Sequence, residues 1–555
     1  MSEMKNLKVV PTGVDDFKEL RGGHYYYVDK SELISDILSD RSKVILFTRP
    51  RRFGKSLNIS MLDAFFNMKY KGNTWFDGLK ISEHDEVSEH KNAYPVISLC
   101  MKDCAVEDYN SFLDDVRGKV DESYRGFPEI YKNELIPESV RQQYLDIYPY
   151  QFNESRLRGS IKALCEMITI AYGVKPIVLI DEYDNPINNS FNQQEHSKIL
   201  AFLRYFYSSM LKGNDFMSFA VVTGVMQIAK ESIFSGLNNL KVNNILSKAF
   251  DERYGFTPKE VEEMCAYYGH PEKFVEAKDW YDGYRFGNAE IYNPWSVLNY
   301  IDAGFDADKY WTGTSGNDII DTLLNYADSE TYEELQSLGE GKTTCIRFPT
   351  SIVLNDLNRD KNTIYAVMAI AGYLNAVPNG EGSYDLSVPN KEMYFVFDEV
   401  ITTRLQSFTS GAFSDFLEGM QIADVQKVKK GLNNLFKNDI PSIILTREKD
   451  YQLILAAMAM NRCGRYEIRL EKEAGIGRAD IIMKPTRPGL PNIIFELKKT
   501  ADKRKKLQKL ADAAIDQIMD KEYYWGMDGR VLMYGIAFRG KESEVSFKEM
   551  HLRRD

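Results

Sequence analysis

The sequence predicts an α/β fold with a parallel sheet at the front, a helical or winged-helix lid after it, and a C-terminal domain of αβββαβ order. Three observations support this prediction. Short apolar runs alternate with segments of helical periodicity over about the first 250 residues, as in a parallel sheet that helices cover on both faces. Shorter, aromatic-rich elements follow to about residue 310. The last hundred or so residues return to strands, with one long helix before the final strand.

Four apolar runs predict the strands of the front sheet, at 44–48, 94–99, 176–180 and 216–223. Helical periodicity marks the segments between them, including 106–170. In the lid, Thr257, Pro258 and Glu260 form a helix start, with a capping side chain, a proline at the first position and an acid three residues after the cap.

The end of the chain predicts one further domain. Helices are expected at 448–460 and about 503–524, and strands at 466–470, 478–483, 492–497 and 531–538. The proline- and glycine-rich segment between the second and third of these strands indicates a loop.

Composition excludes several classes of protein. The chain of 555 residues is 44% hydrophobic and 27% charged, and no apolar run reaches the roughly 18–20 residues of a membrane span. The N-terminus lacks the apolar core of a signal peptide, and six cysteines in so long a chain form no disulfide framework. We therefore expect a cytoplasmic protein without membrane contact. Cys100 and Cys104 are interpreted as buried thiols near a strand end, with metal binding as the alternative.

The net charge of −11 excludes a basic field over the whole protein, so any nucleic acid must bind to a local patch. A solvated helix face is the other interpretation of such a patch. The candidate patch consists of Lys498, Lys499, Lys503, Arg504, Lys505, Lys506 and Lys509.

A phosphate-loop signal follows the first predicted strand. Gly54, Lys55 and Ser56 supply the end of the pattern G-x₄-G-K-S/T, in which backbone N–H groups and the lysine hold phosphates and the hydroxyl holds Mg²⁺. The pattern departs at Arg49, where glycine is usual, and at Pro50, which has no N–H. Positive charge from the two arginines that follow Pro50 would offset the missing donors.

An acidic pair ends the third apolar run. Asp181 would hold Mg²⁺ through water, and Glu182 would polarise the attacking water. Thr223 ends the next run, where a sensor of the γ-phosphate would lie. The candidates for a cation that reaches the γ-phosphate are Arg253 and Arg285. The expected nucleotide-binding residues are Arg51, Arg52, Phe53, Gly54, Lys55, Ser56, Asp181 and Thr223, of which Ser56 and Asp181 are expected at the metal.

A second acidic pair lies in the last domain. Asp480 is expected at the end of one strand, and Glu496 and Lys498 are two residues apart on the next, so both point to one face. Metal-dependent phosphodiester cleavage needs carboxylates that converge on Mg²⁺ and a cation beside them. We therefore predict Asp480 and Glu496 as metal ligands, and these two with Lys498 as catalytic residues. Further candidates for the same cleft are Glu448, Gln517 and Lys521.

Residues from about 8 to 300 resemble the AAA-ATPase-like proteins that are widespread in bacteria and archaea. The matching segments are YVDK at 27–30, FTRPRRFGKS at 47–56, DEYD at 181–184, TGV at 223–225, KESIFSGLNN at 230–239 and YNP at 292–294. Arg49 is usual in the loop of this family. The resemblance implies ATP binding and hydrolysis with Mg²⁺. Because such ATPases often complete their sites between subunits, a homo-oligomer is one expectation.

Residues from about 440 to 545 resemble the PD-(D/E)XK nuclease superfamily domain, which implies a restriction-endonuclease-like fold. The matching segments are EAGIGRAD at 473–480, ELK at 496–498, QI at 517–518 and GIAF at 535–538. Gln452 stands where the first helix of that family carries histidine, which weakens a chemical role for this helix. The resemblance implies a Mg²⁺-dependent nuclease that acts on nucleic acid, with DNA preferred over RNA.

Together these features predict an ATPase fused to a nuclease-like domain. The expected domains are an ATPase core at 8–245, the lid at 246–310, a helical connector of unknown role at 311–440 and the nuclease-like domain at 441–545. The nucleotide state would move the lid and gate access of nucleic acid to the second acidic pair. One alternative is a signalling or scaffold ATPase whose last domain binds without cutting. The other is a switch that binds ATP without hydrolysing it.

Overall fold

The structure is a computed structural model, and it describes most of the chain. The described residues are 7–128, 130–147, 154–191, 193–226, 240–311, 323, 329–339, 341–347, 361–380, 382–397, 416, 418–420, 422–436, 448–449, 451–452, 454–455, 466–474, 477–486 and 490–552. The segment KESIFSGLNN at 230–239 and part of the helix predicted at 448–460 lie outside these residues.

The chain divides into two compact units. One comprises Met1–Gly316 with Gly341–Val396, and the other comprises Asn317–Glu340 with Phe397–Asp555. The division into four domains stays a prediction. Among the described helices, none is both long and apolar enough to pass through a membrane.

The first unit is built on a five-stranded sheet in which every pairing is parallel, and its strand order is β2-β3-β4-β1-β5. The strands are β1 (Val44–Thr48), β2 (Val96–Cys100), β3 (Ile177–Asp181), β4 (Ala220–Gly224) and β5 (Leu240–Asn243). Its helices are α1 (Phe17–Gly22), α2 (Glu32–Asp40), α3 (Lys55–Phe66), α4 (Tyr109–Arg125), α5 (Glu138–Ile147), α6 (Glu154–Tyr172), α7 (Asn185–Ser190) and α8 (His196–Leu211).

The parallel sheet predicted from the apolar runs is confirmed. β1, β3 and β4 are buried along their whole length, because α4, α6 and α8 pack on one face while α3 lies against β3 and β4. β4 is shorter than the predicted 216–223, since the N–H of Met217 donates to the carbonyl of Asn214 in a turn before it. β5 was not predicted, because it is a short edge strand with an exposed Lys241.

The lid contains three helices and a hairpin. Its elements are α9 (Pro258–Tyr267), α10 (Phe274–Tyr281), the antiparallel strands β6 (Tyr284–Phe286) and β7 (Ala289–Ile291), and α11 (Pro294–Asp302). The predicted start of α9 is confirmed, since the Glu260 carboxylate accepts the N–H of Thr257 at 2.7 Å and the Thr257 hydroxyl accepts the N–H of Glu260. The hairpin lies in a turn-rich segment that carried no clear strand signal.

A small sheet completes the first unit, with strand order β8-β10-β9 and antiparallel pairing. The expectation that 311–440 is helical is wrong for these strands, which are too short to show a strand pattern in the sequence. Its strands are β8 (Thr344–Ile346), β9 (Asn375–Pro378) and β10 (Tyr384–Ser387). The described helices after α11 and before β9 are α12 (Ser329–Gly339), which belongs to the second unit, and α13 (Lys361–Ala371).

The second unit is a mixed five-stranded sheet with strand order β11-β12-β13-β14-β15. Only β13 and β14 are parallel. Its elements are α14 (Val425–Asn434), β11 (Tyr466–Ala474), β12 (Gly477–Pro485), β13 (Asn492–Lys499), α15 (Leu507–Asp520), β14 (Gly529–Arg539) and β15 (Glu542–Leu552). The described residues of 448–455 are helical. The predicted αβββαβ order is confirmed and extended by β15, a partly exposed edge strand whose charged residues conceal it in the sequence.

Helix α15 covers one face of this sheet. Ile515 and Ile518 pack against Ile482 of β12 and Ile494 of β13. Gly535 permits the close approach, because a Cβ there would lie 2.3 Å from the carbonyl oxygen of Ala511 in α15. The GIAF segment that carried the resemblance is thus a packing surface.

Candidate phosphate and carboxylate sites

The carboxyl ends of three strands and the start of α3 bring Ser56, Asp181 and Thr223 together. β4 lies between β1 and β3, so Thr223 falls between the phosphate loop and the acid. Asp181 accepts a hydrogen bond from the Ser56 hydroxyl at 2.6 Å on Oδ2 and one from the Thr223 hydroxyl on Oδ1. The N–H of Glu182 also donates to Oδ1, at 3.0 Å. Both oxygens of this buried carboxylate are therefore bonded within the protein.

The loop between β1 and α3 has the backbone form of an anion cradle. Arg52 and Gly54 both have left-handed φ angles, 69° and 77°. N–H groups in such alternating conformations form concave anion sites, and the start of a helix adds its positive end. The buried Lys55 ammonium donates to the carbonyls of Arg49 at 3.1 Å and Pro50 at 2.7 Å, and burial lowers its pKa.

Arg49, which replaces the usual glycine, is a structural residue. Its fully buried guanidinium donates to the carbonyls of Asn243 at 2.9 Å and Phe250 at 3.4 Å, and lies 5.2 Å from the ring of Tyr254. Burial lowers its pKa to about 10. This arginine therefore fastens the loop to the end of β5 and to the start of the lid.

The other two arginines of the loop differ from each other. Arg52 donates to the carbonyls of Tyr310, at 3.3 Å, and Trp311. Arg51 is half-buried and has no hydrogen bond or ion pair to any residue that the structure describes. Phe53 is fully buried, with its ring 5.1 Å from that of Tyr284.

Glu182 follows the acid at the end of β3. Its φ is 51°, a left-handed value that non-glycine residues rarely adopt and that occurs often at functional sites. Burial raises the pKa of its half-buried carboxyl, and the neighbouring Asp181 raises it further. The only hydrogen bond to its side chain among the described residues is a long one, 3.4 Å, from the Asn185 amide.

The two candidate cations lie in different surroundings. Arg253 forms ion pairs with Glu32 at 2.9 Å and Asp36 at 2.6 Å on α2. Arg285 is exposed on β6, opposite Glu290 of β7. Among the described residues, neither side chain forms a hydrogen bond or ion pair with Ser56, Asp181 or Thr223.

Asp184 is a buried acid whose role was not evident from the sequence. Its carboxylate accepts the N–H groups of Val225 at 3.0 Å and Met226 at 2.7 Å, and the amide of Asn188 at 2.9 Å. A Cβ at Gly224 would lie 2.5 Å from Asp184 Oδ1. Asp184 therefore holds the chain directly after Thr223. Its place in the DEYD segment was the only signal.

In the second unit, Asp480 and Glu496 lie opposite each other on neighbouring strands. Ile481 of β12 pairs with Phe495 of β13 in antiparallel register, which sets the two acids side by side. Asp480 was expected at the end of its strand, and this was wrong, because it is the fourth residue of β12. Antiparallel pairing nonetheless brings the beginning of β12 beside the end of β13.

The charged side chains share one face of the sheet. Ile482 and Ile494 pack under α15, so by alternation Asp480, Glu496 and Lys498 point to the same side. Lys498 donates to Glu496 Oε1 at 2.9 Å. Asp480 Oδ2 accepts the N–H that follows Glu496 in the chain, at 2.7 Å.

Glu496 is an incompletely satisfied buried acid. Only 2% of its surface is exposed, and its Oε2 has no hydrogen-bond partner among the described residues. Burial, and then the nearby Asp480, raise its pKa to about 7. A buried carboxylate oxygen without a partner, next to a second carboxylate, suits a divalent cation.

Neighbouring side chains support this pair. The amide of Gln452 donates to the carbonyl of Asp480 at 2.8 Å, so the residue that replaces the expected histidine fixes the backbone of the acid. Gln517 donates to the hydroxyl of Tyr523 at 3.1 Å. The ring of Tyr523 borders Gly477, where a Cβ would lie 3.1 Å from it.

Glu448 and Lys521 are the remaining candidates for this cleft. Glu448 is exposed and accepts the N–H of Lys499 at 2.6 Å. Lys521 follows α15, and its aliphatic stem lies 3.4 Å from the position of a Cβ at Gly477.

Four of the seven residues of the basic patch lie in a loop, whereas Lys498 and Lys499 end β13 and Lys509 lies on α15. The helix predicted from about 503 begins at Leu507, because Asp502 accepts the N–H of Arg504 at 2.9 Å and closes a turn. The four consecutive basic residues of this loop are all exposed: Lys503, Arg504, Lys505 and Lys506. They follow β13 directly, so their charges extend from the end of the strand that carries Glu496.

The donor chemistry at both sites fits Mg²⁺. In the part of the chain that the structure describes, no group of three or more histidine, cysteine or acidic side chains forms a metal cage. Mg²⁺ retains several waters and binds through one or two carboxylates, so Ser56 with Asp181, or Asp480 with Glu496, meets its preference.

The prediction that both thiols of the C-x₃-C segment are buried holds for Cys104 and is wrong for Cys100, which lies on an outward-facing position of β2.

Comparison with known proteins identifies both domains. Residues 11–234 match the family described as "Predicted AAA-ATPase", and residues 446–548 match the PD-(D/E)XK nuclease superfamily. A protein of Azotobacter chroococcum mcd 1, named "Uncharacterized protein in vnfD 5'region", is 28% identical over 408 residues, which cover 72% of this chain and 70% of that protein. The chain therefore combines an AAA-ATPase-like domain with a C-terminal PD-(D/E)XK nuclease superfamily domain, as the sequence resemblance predicted.

Proposed function

We propose that this protein hydrolyses ATP in its first unit and cleaves nucleic acid, DNA in preference to RNA, in its second unit, with Mg²⁺ in both reactions. One observation carries each half of the proposal. In the first unit, a buried carboxylate joins the hydroxyls of Ser56 and Thr223. In the second, two carboxylates and a lysine meet on adjacent strands.

At the nucleotide site, Ser56 and Asp181 would hold the Mg²⁺ of Mg·ATP, and Thr223 would orient Asp181. Lys55 would exchange two loop carbonyls for phosphate oxygens, a favourable exchange because phosphate carries negative charge. Glu182 would orient and deprotonate the attacking water. The remaining loop contacts would come from the side chain of Arg51 and the N–H groups of Arg52, Phe53 and Gly54.

At the carboxylate pair, Asp480 and Glu496 would be the metal ligands. Mg²⁺ held there would polarise the scissile phosphate and lower the pKa of a bound water. Lys498, held beside Glu496, would place positive charge where the phosphate becomes more negative. The exposed basic loop at 503–506 would bind the phosphate backbone, with an affinity that falls as salt rises.

Phosphate release tests the ATPase half. Lys55→Ala is expected to lower the rate at least about a hundredfold, because it removes the charge that bridges the phosphates. Lys259→Ala is the matched control, since that side chain is 83% exposed and lies on the lid surface. Equal release from wild type and Lys55→Ala would contradict this half of the proposal.

Nicking of supercoiled DNA, with structured RNA in parallel, tests the nuclease half. Asp480→Ala is expected to abolish Mg²⁺-dependent cleavage because it removes a metal ligand. Asp516→Ala changes an exposed acid on α15; it is the matched control and is expected to cleave like wild type. Cleavage by Asp480→Ala at the wild-type rate would contradict the assignment, and cleavage of RNA alone would contradict the preference for DNA.

We also propose that the nucleotide controls cleavage, because one chain carries both domains. The expected result is that ATP changes the nicking rate of wild type and not that of Lys55→Ala. Identical rates with and without ATP in both proteins would remove this part of the proposal.

A further inference from the structure

Aromatic rings and carbonyl groups at the end of the lid enclose Arg52 of the phosphate loop. Its guanidinium lies 5.2 Å from the ring of Trp295 and 5.5 Å from the ring of Trp311. Its N–H groups donate to the carbonyls of Tyr310, at 3.3 Å, and Trp311. Arginine is suited to this environment, since its planar group stacks on aromatic rings and donates in its own plane. The side chain is thus committed to protein contacts.

Glu392 binds the backbone of the same tryptophan. Its side chain is fully buried; Oε1 accepts the N–H of Trp311 at 2.8 Å and Oε2 accepts the hydroxyl of Ser296 at 2.7 Å. Ser296 follows Trp295 in α11, so the contacts form a closed ring that runs from Arg52 through Trp311 and Glu392 back to α11. An unbonded oxygen on a buried carboxylate costs free energy, and both oxygens of Glu392 are bonded.

The segment that contains Glu392 also touches the phosphate loop directly. Gly372 has a φ of 89°, and a Cβ there would lie 2.8 Å from Pro50 Cβ and 3.5 Å from the ring of Trp311. Both the backbone conformation and the close contact require glycine. Gly372 and Glu392 therefore contact the loop at Pro50 and its anchor at Trp311.

The backbone of the loop needs such support. Arg52 has a φ of 69°, a conformation that costs energy in a non-glycine residue and persists where surrounding contacts hold it. This conformation sets the direction of the N–H groups that would meet a phosphate. The ring of contacts around the Arg52 side chain is the structural feature that holds it.

We propose that Arg52 and Glu392 are positioning residues of the nucleotide site, an inference that rests on the proposed ATPase function. Their side chains hold the loop in its phosphate-binding form through Trp311 and do not touch the nucleotide. Arg51 is the arginine whose side chain is available to the phosphates. Gly372 and Glu392 lie in a region for which the sequence indicated no role, and through these contacts they support nucleotide binding.

Binding of Mg·ADP to the full chain, measured by calorimetry, tests this role. Arg52→Ala and Arg52→Lys are both expected to weaken binding about tenfold, because an ammonium neither stacks between two indoles nor bridges two carbonyls. Glu392→Gln keeps the shape of the side chain and is expected to bind within about threefold of wild type, whereas Glu392→Ala loses about tenfold.

Tryptophan emission of the nucleotide-free protein provides a second readout. A residue that only contacted phosphate would not change this emission when it is replaced. Arg52→Ala is expected to shift the emission, since it uncovers Trp295 and Trp311. Arg51→Ala removes the same charge from the same loop and is expected to leave the emission unchanged.

Three results would decide against the inference or its basis. Restoration of wild-type affinity in Arg52→Lys would identify a phosphate contact through charge and overturn the positioning role. Unchanged emission in Arg52→Ala would overturn the ring of contacts. If wild type binds no Mg·ADP, the proposed ATPase function fails, while the emission comparison still tests the ring.

Discussion

The two candidate sites differ in how their buried acids are satisfied. Asp181 in the first unit is 6% exposed, and both of its oxygens accept hydrogen bonds from the protein. Glu496 in the second unit is 2% exposed, with Lys498 on one oxygen and no partner on the other among the described residues. The two acids are similarly buried, but one is fully hydrogen-bonded by the protein and the other is not.

The difference indicates what each site needs from its ligand. A carboxylate satisfied by the protein is stable by itself, so a metal at Asp181 has to displace internal hydrogen bonds and needs the phosphates of a nucleotide to do so. A carboxylate with an unpaired buried oxygen carries a desolvation cost that a cation relieves. We therefore expect metal binding without nucleotide in the second unit and not in the first.

The largest expected effect concerns Glu182, whose side chain accepts one long hydrogen bond among the described residues. Glu182→Gln keeps the size of the side chain and removes the base, so ATP hydrolysis is expected to fall about a thousandfold. ATP affinity is expected to remain near that of wild type, because Asp181, Ser56 and Lys55 are unchanged. Phosphate release and calorimetry measure the two quantities, and a loss of affinity equal to the loss of rate would assign Glu182 to binding.

Glu392 is a third buried acid. Both of its carboxylate oxygens accept hydrogen bonds, and burial nonetheless disfavours its charged form. Burial raises its pKa from 4.5 to about 7, in spite of the hydrogen bonds from Ser296 and Trp311 and the nearby charge of Arg52. A raised pKa in the folded state means that stability is lost as pH rises from about 4.5 through 7, by about 3 kcal/mol for this group.

Glu392→Gln lacks this titration. The difference in unfolding free energy between the variant and wild type is therefore expected to grow in favour of the variant between pH 5 and 8, as followed by urea unfolding. A constant difference across that range would show that Glu392 keeps an ordinary pKa.

Asp184 is an acid of the first unit whose two carboxylate oxygens both accept hydrogen bonds. Asp184→Asn replaces an acceptor with a donor that faces the N–H groups of Val225 and Met226, and is expected to destabilise the first unit by about 2 kcal/mol. Asp279→Asn, an exposed acid paired with Lys391 at 3.4 Å, is the control and is expected to change little. Urea unfolding distinguishes them, and equal stabilities would remove the proposed clamp after Thr223.

Glu496 is expected to behave in the opposite way. In the presence of a chelator, Glu496→Gln removes a poorly satisfied buried charge and is expected to stabilise the second unit by about 1 kcal/mol. Adding Mg²⁺ is expected to stabilise wild type and not the variant, because a ligand that binds only the folded state raises its stability. Thermal unfolding with and without metal measures both effects, and destabilisation of the metal-free protein would contradict the contrast between the sites.

Local patterns predicted most of the fold and the main residues of both sites. Each of these patterns spans only a few residues, a range over which periodicity determines the structure. Examples are the run at 44–48, the glycine–lysine–serine sequence after it, and the spacing of Glu496 and Lys498. β5 and β15 were missed because edge strands with exposed polar residues lack that periodicity.

Contacts between distant parts of the chain were not predictable in this way. Arg49 binds Asn243, which lies 194 residues away, and Arg52 binds Trp311, which lies 259 residues away. Nothing in the spacing of RPRRFGKS distinguishes these anchored arginines from Arg51. Likewise, the position of Asp480 near the beginning of its strand became clear only from the antiparallel register with β13.

Binding of Mn²⁺, a substitute for Mg²⁺, to the nucleotide-free full chain tests the contrast most directly, with electron paramagnetic resonance as the readout. Wild type is expected to bind Mn²⁺ at one site, which Glu496→Gln removes and Asp181→Asn retains. A second site is expected to appear with ATP and to be lost in Asp181→Asn. A nucleotide-free site that survives in Glu496→Gln and disappears in Asp181→Asn would contradict the contrast.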